Sequence, residues 1–205
     1  MMDQSSFYLF VGLGNPGKAY ANTRHNIGFL VLTSMAAKYG WNFRRVSSLH
    51  GLLAEGVVDG KKVLVLLPET YMNSSGEAVK ACVSYYNISM QKICVVCDEI
   101  YLPFGRLRIK PSGSSGGHNG LKSLSAHLGV QDYARLRVGV GDRQQGDLAD
   151  HVLSPFNEEE REKLPEVLQR ASQALECWLL KGMLEAMQFT NACQEQEKPE
   201  KKLGE

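Results

Sequence analysis

The spacing of apolar and polar positions switches repeatedly between two periods along the chain, and each switch marks an element. Phe7-Tyr8-Leu9-Phe10-Val11 is an unbroken apolar run ending at glycines, the pattern of a strand buried on both faces. From Ile27 to Tyr39 apolar residues recur at Ile27, Leu30, Val31 and Met35, the spacing of an amphipathic helix, which Gly40 stops. Leu52–Val58 and Lys61–Leu67 are strand-like runs joined by Asp59-Gly60, residues that tolerate the positive φ of a tight hairpin. After Pro68, Ser74-Ser75-Gly76-Glu77 opens a second helix through Tyr86, with Ser74 and Glu77 at the spacing of a capping box. Ile93–Cys97 predicts a second buried strand, and Arg106–Lys110 alternates as an edge strand does. A glycine-rich loop, Gly113–Gly120, leads to a short helix at Leu121–Leu128, and Arg135–Gly141 alternates as a further strand. A long helix from about Asn157 to Leu180 and a short one from Met183 to Asn191 complete the pattern.

Strands and helices thus alternate, with one hairpin inserted. This predicts an α/β fold: a single-domain α/β sandwich around a twisted, mixed, largely parallel sheet with helices on both faces. The domain is expected to span residues 1–193, with a flexible lid near 146–156 and a charged, disordered tail over 194–205. A chain of 205 residues suffices for one core. No apolar run approaches the ~18 residues of a membrane span, and Met1–Ser6 lacks the basic start of a signal peptide, so a soluble, cytoplasmic protein is expected.

The five cysteines include Cys94-Val95-Val96-Cys97, at CxxC spacing. On a strand, residues three apart point to opposite faces, so this pair is expected to be two buried small hydrophobes rather than a chelate or a cross-link. Net charge is only +1, but it is unevenly spread. Residues 104–145 carry Arg106, Arg108, Lys110, Lys122, Arg135, Arg137 and Arg143 against Asp132 and Asp142, a net +5, while residues 146–205 are net −6. A basic middle segment in a near-neutral chain suggests a face for a polyanion.

Two motifs match fingerprints whose context is wrong. Gly12-Leu13-Gly14-Asn15-Pro16-Gly17 fits GxGxxG after a strand, but no helix opens at Gly17, and Val31–Tyr39 lacks the acid that would hold a ribose. A tight turn exposing Asn15 at the end of the first strand is the simpler expectation. Gly113-Ser114-Ser115-Gly116-Gly117 fits GxSxG, with Asp142, Asp147 and His151 following in hydrolase order. The glycines around it would weaken the helix that a nucleophile elbow needs, and suit a loop whose backbone donors approach a ligand. What remains is polar chemistry at strand ends, where open α/β sheets place their sites: His25, Asn73, Asp98, and His118 with Asn119. A His–carboxylate pair with amide donors can activate water against an activated carbonyl such as an ester.

These blocks carry a resemblance. Gly12–Gly17, Tyr20 and Thr23-Arg24-His25-Asn26-Ile27-Gly28 resemble the opening of the bacterial peptidyl-tRNA hydrolase family. So do Pro68-Glu69-Thr70-Tyr71-Met72-Asn73-Ser74-Ser75-Gly76, Asp98-Glu99 with Leu102-Pro103, Gly116-Gly117-His118-Asn119-Gly120-Leu121, and Arg135-Leu136-Arg137-Val138-Gly139-Val140-Gly141. The blocks run in order from about Phe7 to Asn191. The resemblance implies hydrolysis of the ester between a peptide and the 3′-terminal ribose of tRNA by a monomer without metal or cofactor. It implies His25 as the base that deprotonates water, Asp98 as the carboxylate holding the imidazole, and Asn15 as the residue sensing an acylated α-nitrogen. Asn73 is implied to hold substrate carbonyls and the water, and Tyr20, Tyr71 and Asn119 to line the groove for peptide and terminal nucleotides. Arg108, Lys110, Lys122 and Arg137 then gain acceptor-stem phosphates as partners. The chain departs from the family at Tyr71, where many relatives have Phe, at Tyr101, which replaces an acid, and at Ser114-Ser115, which replace Gly-His. Two other readings stay open: a non-catalytic module docking the tRNA end, and a serine esterase acting through Ser115.

Overall fold

A computed structural model describes residues 7–141 and 147–195, apart from the side chains of 148 and 193–195. In chain order the elements are β1 (Phe7–Gly12), α1 (Ile27–Tyr39), β2 (Arg44–Val46), β3 (Gly51–Val58), β4 (Lys61–Pro68), α2 (Ser75–Tyr86), β5 (Ile93–Glu99), β6 (Leu107–Lys110), α3 (Asn119–Leu128), β7 (Ala134–Gly139), α4 (Leu148–Leu153), α5 (Glu158–Lys181) and α6 (Met183–Glu195). Of the segments expected to move, residue 146 and residues 196–205 lie outside the described ones, and α4 occupies 148–153.

The strands form one mixed sheet in the order β2-β3-β4-β1-β5-β7-β6. β4, β1, β5 and β7 run parallel at its centre, while β2, β3 and β6 pair antiparallel at the edges. The period of two sorts the side chains. Phe10, Cys94, Val96, Leu136 and Val138 pack with α1, α5 and α6, whereas Leu9, Val11, Val95 and Cys97 pack with α2 and α3. Cys94 and Cys97 therefore face opposite layers, and burial pushes both thiols up, Cys97 to about 12.

The chain leaves β1 toward β4 on one side and returns beyond it to β5 on the other, so β1 sits at a switch point, where the loops at the strand ends part to leave a crevice. Gly12 and Gly14 of the GxGxxG match serve packing there, whereas Gly17, with open space around it, takes a φ of 104° in the turn. A Cβ on Gly12 would lie 2.6 Å from the Gly28 carbonyl oxygen, and one on Gly28 would lie 2.4 Å from that of Val96. The end of β1, the start of α1 and β5 are thus in direct backbone contact. No nucleotide fingerprint is needed to explain the motif.

One expected cap is absent. Ser74 makes no side-chain bond to α2, because the single 3-10 turn Met72–Ser74 runs straight into the helix and leaves Ser74 with ψ near 10°. The buried amide of Gly76, in the first turn of the helix, donates instead to Ser123 Oγ from α3, at 3.0 Å. The reciprocal box occurs at α5, where Asn157 Oδ1 accepts from Glu160 N and Glu160 Oε2 accepts from Asn157 N, both at 2.8 Å.

Candidate active site

Asp98 is the hub. It is the penultimate residue of β5, on the face that carries Cys94 and Val96, toward the α1 layer, and it is 4% exposed. Its Oδ1 lies 2.8 Å from His25 Nδ1 and 2.9 Å from His118 Nε2. Burial pushes the carboxyl up, but the two imidazoles, His118 foremost, outweigh it and hold the group well below the usual carboxylate range. An ionised carboxylate only accepts, so each histidine must donate to it. At His118 the other nitrogen is fixed as well: Nδ1 accepts from the amides of Gly120 and Leu121, at 3.1 and 3.3 Å, as the N-cap of α3. His118 is thereby a neutral Nε2–H tautomer. His25 donates from Nδ1 to Asp98, so its neutral form carries the lone pair on Nε2. The rings lie 5.1 Å apart between centroids.

These three residues present ligand-type atoms within 4.8 Å of one another, a grouping hidden by their separation in sequence. A metal there would have to take the His118 nitrogen that carries a proton, while Nδ1 stays committed to the helix cap, so the donor set suits hydrogen bonds better than a cation.

Asn15 is 8% exposed, not displayed on a turn as expected, because Asn26 clips its backbone from both sides. Asn26 Oδ1 accepts from Asn15 N and Asn26 Nδ2 donates to Asn15 O, each at 2.9 Å. Asn15 Oδ1 accepts from Met72 N at 2.8 Å, which leaves its Nδ2 as a donor group. All of this borders one cleft of about 440 Å³. Asn15, His25, Asp98 and His118 line it, with Tyr71, Asn73, Asn119 and Arg137, and Ala149, Val152 and Leu153 of α4 form a further wall. Tyr71 is 64% exposed at the rim. Tyr20 is not on the wall; it is half-buried in the turn before Thr23, whose Oγ1 donates to its carbonyl.

A family model described as peptidyl-tRNA hydrolase matches residues 9–200. The peptidyl-tRNA hydrolase of Gloeobacter violaceus is 44% identical over 185 residues, covering 90% of this chain and 93% of that one. That of Clostridium novyi is 44% identical over 184 residues, with 90% and 97% covered. This chain belongs to the peptidyl-tRNA hydrolase family. The crystal structure of the Acinetobacter baumannii peptidyl-tRNA hydrolase superposes with a TM-score of 0.86 at 35% identity, over 92% of this chain and 96% of that one.

Within this hydrolase fold the basic segment divides. Leu107, Ile109, Leu136 and Val138 turn to the α5 layer, so Arg108, Lys110, Arg135 and Arg137 share the opposite face, which α3 and the exposed Lys122 also occupy. Arg108 and Lys110 are exposed. Arg135 is not: it is buried over the Tyr133 ring and donates to the carbonyls of Gly113, Ser114 and Gln131, clamping the glycine loop. Arg137 pairs with Glu99 and donates to Ser114 O, which neutralises Glu99 beside the cleft. The GxSxG match finds no triad among the described residues. His151 Nε2 bonds the Gly141 carbonyl, Asp147 caps α4, and Asp142 lies outside the described residues.

His118 is the functional-looking residue whose partners sequence reasoning missed. Its place two residues before a helical amide was the available sign, since a side-chain acceptor there can cap the helix that follows.

Proposed function

We propose that this chain hydrolyses the ester joining a peptide to the 3′-terminal ribose of tRNA, with His25 Nε2 as the base that takes a proton from water. The observation that carries the reading is the pair of imidazoles on Asp98: His118 spends both nitrogens on structure, and His25 spends only Nδ1, leaving Nε2 beside the cleft. Asp98 fixes the His25 tautomer and stabilises the imidazolium that forms on proton transfer. The exposed carboxamide of Asn73 faces the same space and suits the acyl oxygen and the water. Tyr71 and Asn119, on the rim, receive the peptide and terminal nucleotide, Tyr71 by stacking.

Asn15 supplies selectivity. Because Met72 N occupies its oxygen, it offers the substrate a donor, which fits the carbonyl oxygen of an N-acyl group and rejects a free α-ammonium, itself only a donor. Purified protein is expected to release the acyl group from N-acetyl-aminoacyl-tRNA far faster than the amino acid from unblocked aminoacyl-tRNA. Asn15→Asp keeps an acceptor for Met72 N but turns the donor into an anion. The ratio of kcat/KM for blocked over unblocked substrate should then fall by about 100-fold. An unchanged ratio would remove Asn15 from selectivity, and no release by the unaltered protein would favour a docking module over an enzyme.

The basic face of Arg108, Lys110 and Lys122 suits acceptor-stem phosphates, a contact indifferent to sequence and fitted to an enzyme that takes every tRNA. Arg108→Ala or Lys110→Ala should weaken binding of all tRNAs alike and flatten the plot of log affinity against log salt by about one unit of slope. A loss confined to one tRNA contradicts this. The same reading has the chain act as a monomer in the cytoplasm, with α4, which walls the cleft, as the lid over the bound ester.

A further inference from the structure

Arg24 precedes the proposed base, is 7% exposed, and turns its charge away from the chemistry. Its Nη1 donates to Ser154 Oγ at 2.6 Å and to the Pro155 carbonyl at 2.5 Å, and its Nη2 donates to Glu160 Oε2 at 2.6 Å. That glutamate oxygen is the one that also accepts from Asn157 N in the capping box of α5. The guanidinium stands 5.5 Å over the Phe156 ring. The backbone repeats the junction, with Arg24 N donating to Ser154 O at 3.1 Å and Thr23 bridging to Pro155. Ser154 Oγ in turn donates to the His151 carbonyl in the last turn of α4.

We infer that Arg24 is a positioning residue: a latch that joins the α4–α5 junction to the single 3-10 turn Arg24–Asn26, so that the cleft wall and the base move as one body. The inference rests on the hydrolase reading for what is positioned, and on geometry for the latch. A buried guanidinium is a costly way to stabilise a fold. Its planar fork, however, fixes three acceptors on a distant segment in a way no point charge reproduces. Through His25 the turn sets the lone pair, through Asn26 it sets Asn15, and through Ser154 it sets Val152 and Leu153 on the wall. An ångström of slack at the junction would loosen all three together.

Arg24→Lys keeps the charge and loses the fork; Glu160→Gln keeps the capping box and loses the ion pair. Arg24→Lys is expected to lower kcat on N-acetyl-aminoacyl-tRNA by about 10- to 100-fold with a smaller change in KM. Glu160→Gln should shift kcat the same way by a smaller factor. In both variants amide hydrogen exchange over α4 should speed up, while exchange in β1 and β5 and the folded fraction by circular dichroism stay as in the unaltered protein. Unaltered kcat in Arg24→Lys, or a loss that only follows the folded fraction with α4 exchange unchanged, overturns the latch. The unaltered protein run in parallel tests the hydrolase reading separately: if it fails to release the acyl group, that reading falls, and α4 exchange alone decides whether Arg24 holds the wall.

Discussion

His25→Ala is expected to lower kcat for N-acetyl-aminoacyl-tRNA by about 10²- to 10⁴-fold, the range a positioned general base contributes, while tRNA binding is retained. The size follows from how the other candidate bases among the described residues of the cleft are engaged, Asp147 included, whose Oδ1 accepts from Ala149 N as the cap of α4. Both His118 nitrogens are engaged, one at Asp98 and one at the α3 amides. Glu99 is paired with Arg137, and Asp98 is held so far below the usual carboxylate range that it is a poor proton acceptor. The loss should therefore not be made good by a neighbour. Stability should change little, because Asp98 keeps its bond to His118 when the other imidazole goes. Steady-state kinetics paired with a tRNA binding assay check both halves. Turnover equal to the unaltered protein removes His25 as the base, and loss of binding along with turnover would make it a docking residue.

Local patterns carried much of this fold. The α1 periodicity over 27–39, the Gly40 stop and the Asp59-Gly60 hairpin all depend on neighbours in sequence, and the left-handed φ of 47° at Asp59 and 77° at Gly60 is what that dipeptide tolerates. The strand period likewise placed Cys94 and Cys97 on opposite layers. What was not legible depends on partners far along the chain. Ser74 and Glu77 have the spacing of a box, yet Ser123 from α3 supplies the acceptor and the preceding turn removes the geometry. β2 is three residues of an edge strand, Arg44–Val46, with no apolar alternation to announce it. Asn15 was legible as a candidate but not as a buried one, since its burial is set by Asn26 and Met72. Arg135 counted toward a basic surface by charge alone, and only the fold shows that its guanidinium turns inward to hold the glycine loop.

Asp98→Asn separates what the carboxylate does by charge from what it does by shape. Both imidazoles donate to the same oxygen, Oδ1, so an asparagine with its carbonyl in that place keeps both bonds, both tautomers and the α3 cap. What vanishes is the anion beside the ring that becomes an imidazolium when water gives up its proton. Two unit charges about 4 Å apart at an effective dielectric near 20 attract by about 4 kcal/mol. Losing that attraction in the transition state corresponds to a drop in kcat of about a thousandfold. The same substitution has a signature in acid. The folded carboxyl sits below its unfolded value of about 3.9, so Asp98 adds stability that is complete above that pH and is lost as pH falls through the depressed folded value. The Asn variant should lack this component, so its unfolding free energy should fall less steeply in acid than that of the unaltered protein. Asp98→Ala, by contrast, removes the acceptor and strands two buried N–H donors, and should cost stability at neutral pH that Asp98→Asn does not. If Asp98→Asn turned over at the unaltered rate with its acid unfolding unchanged, the carboxylate would be a mere spacer between two rings, and the charge argument for the site would fail.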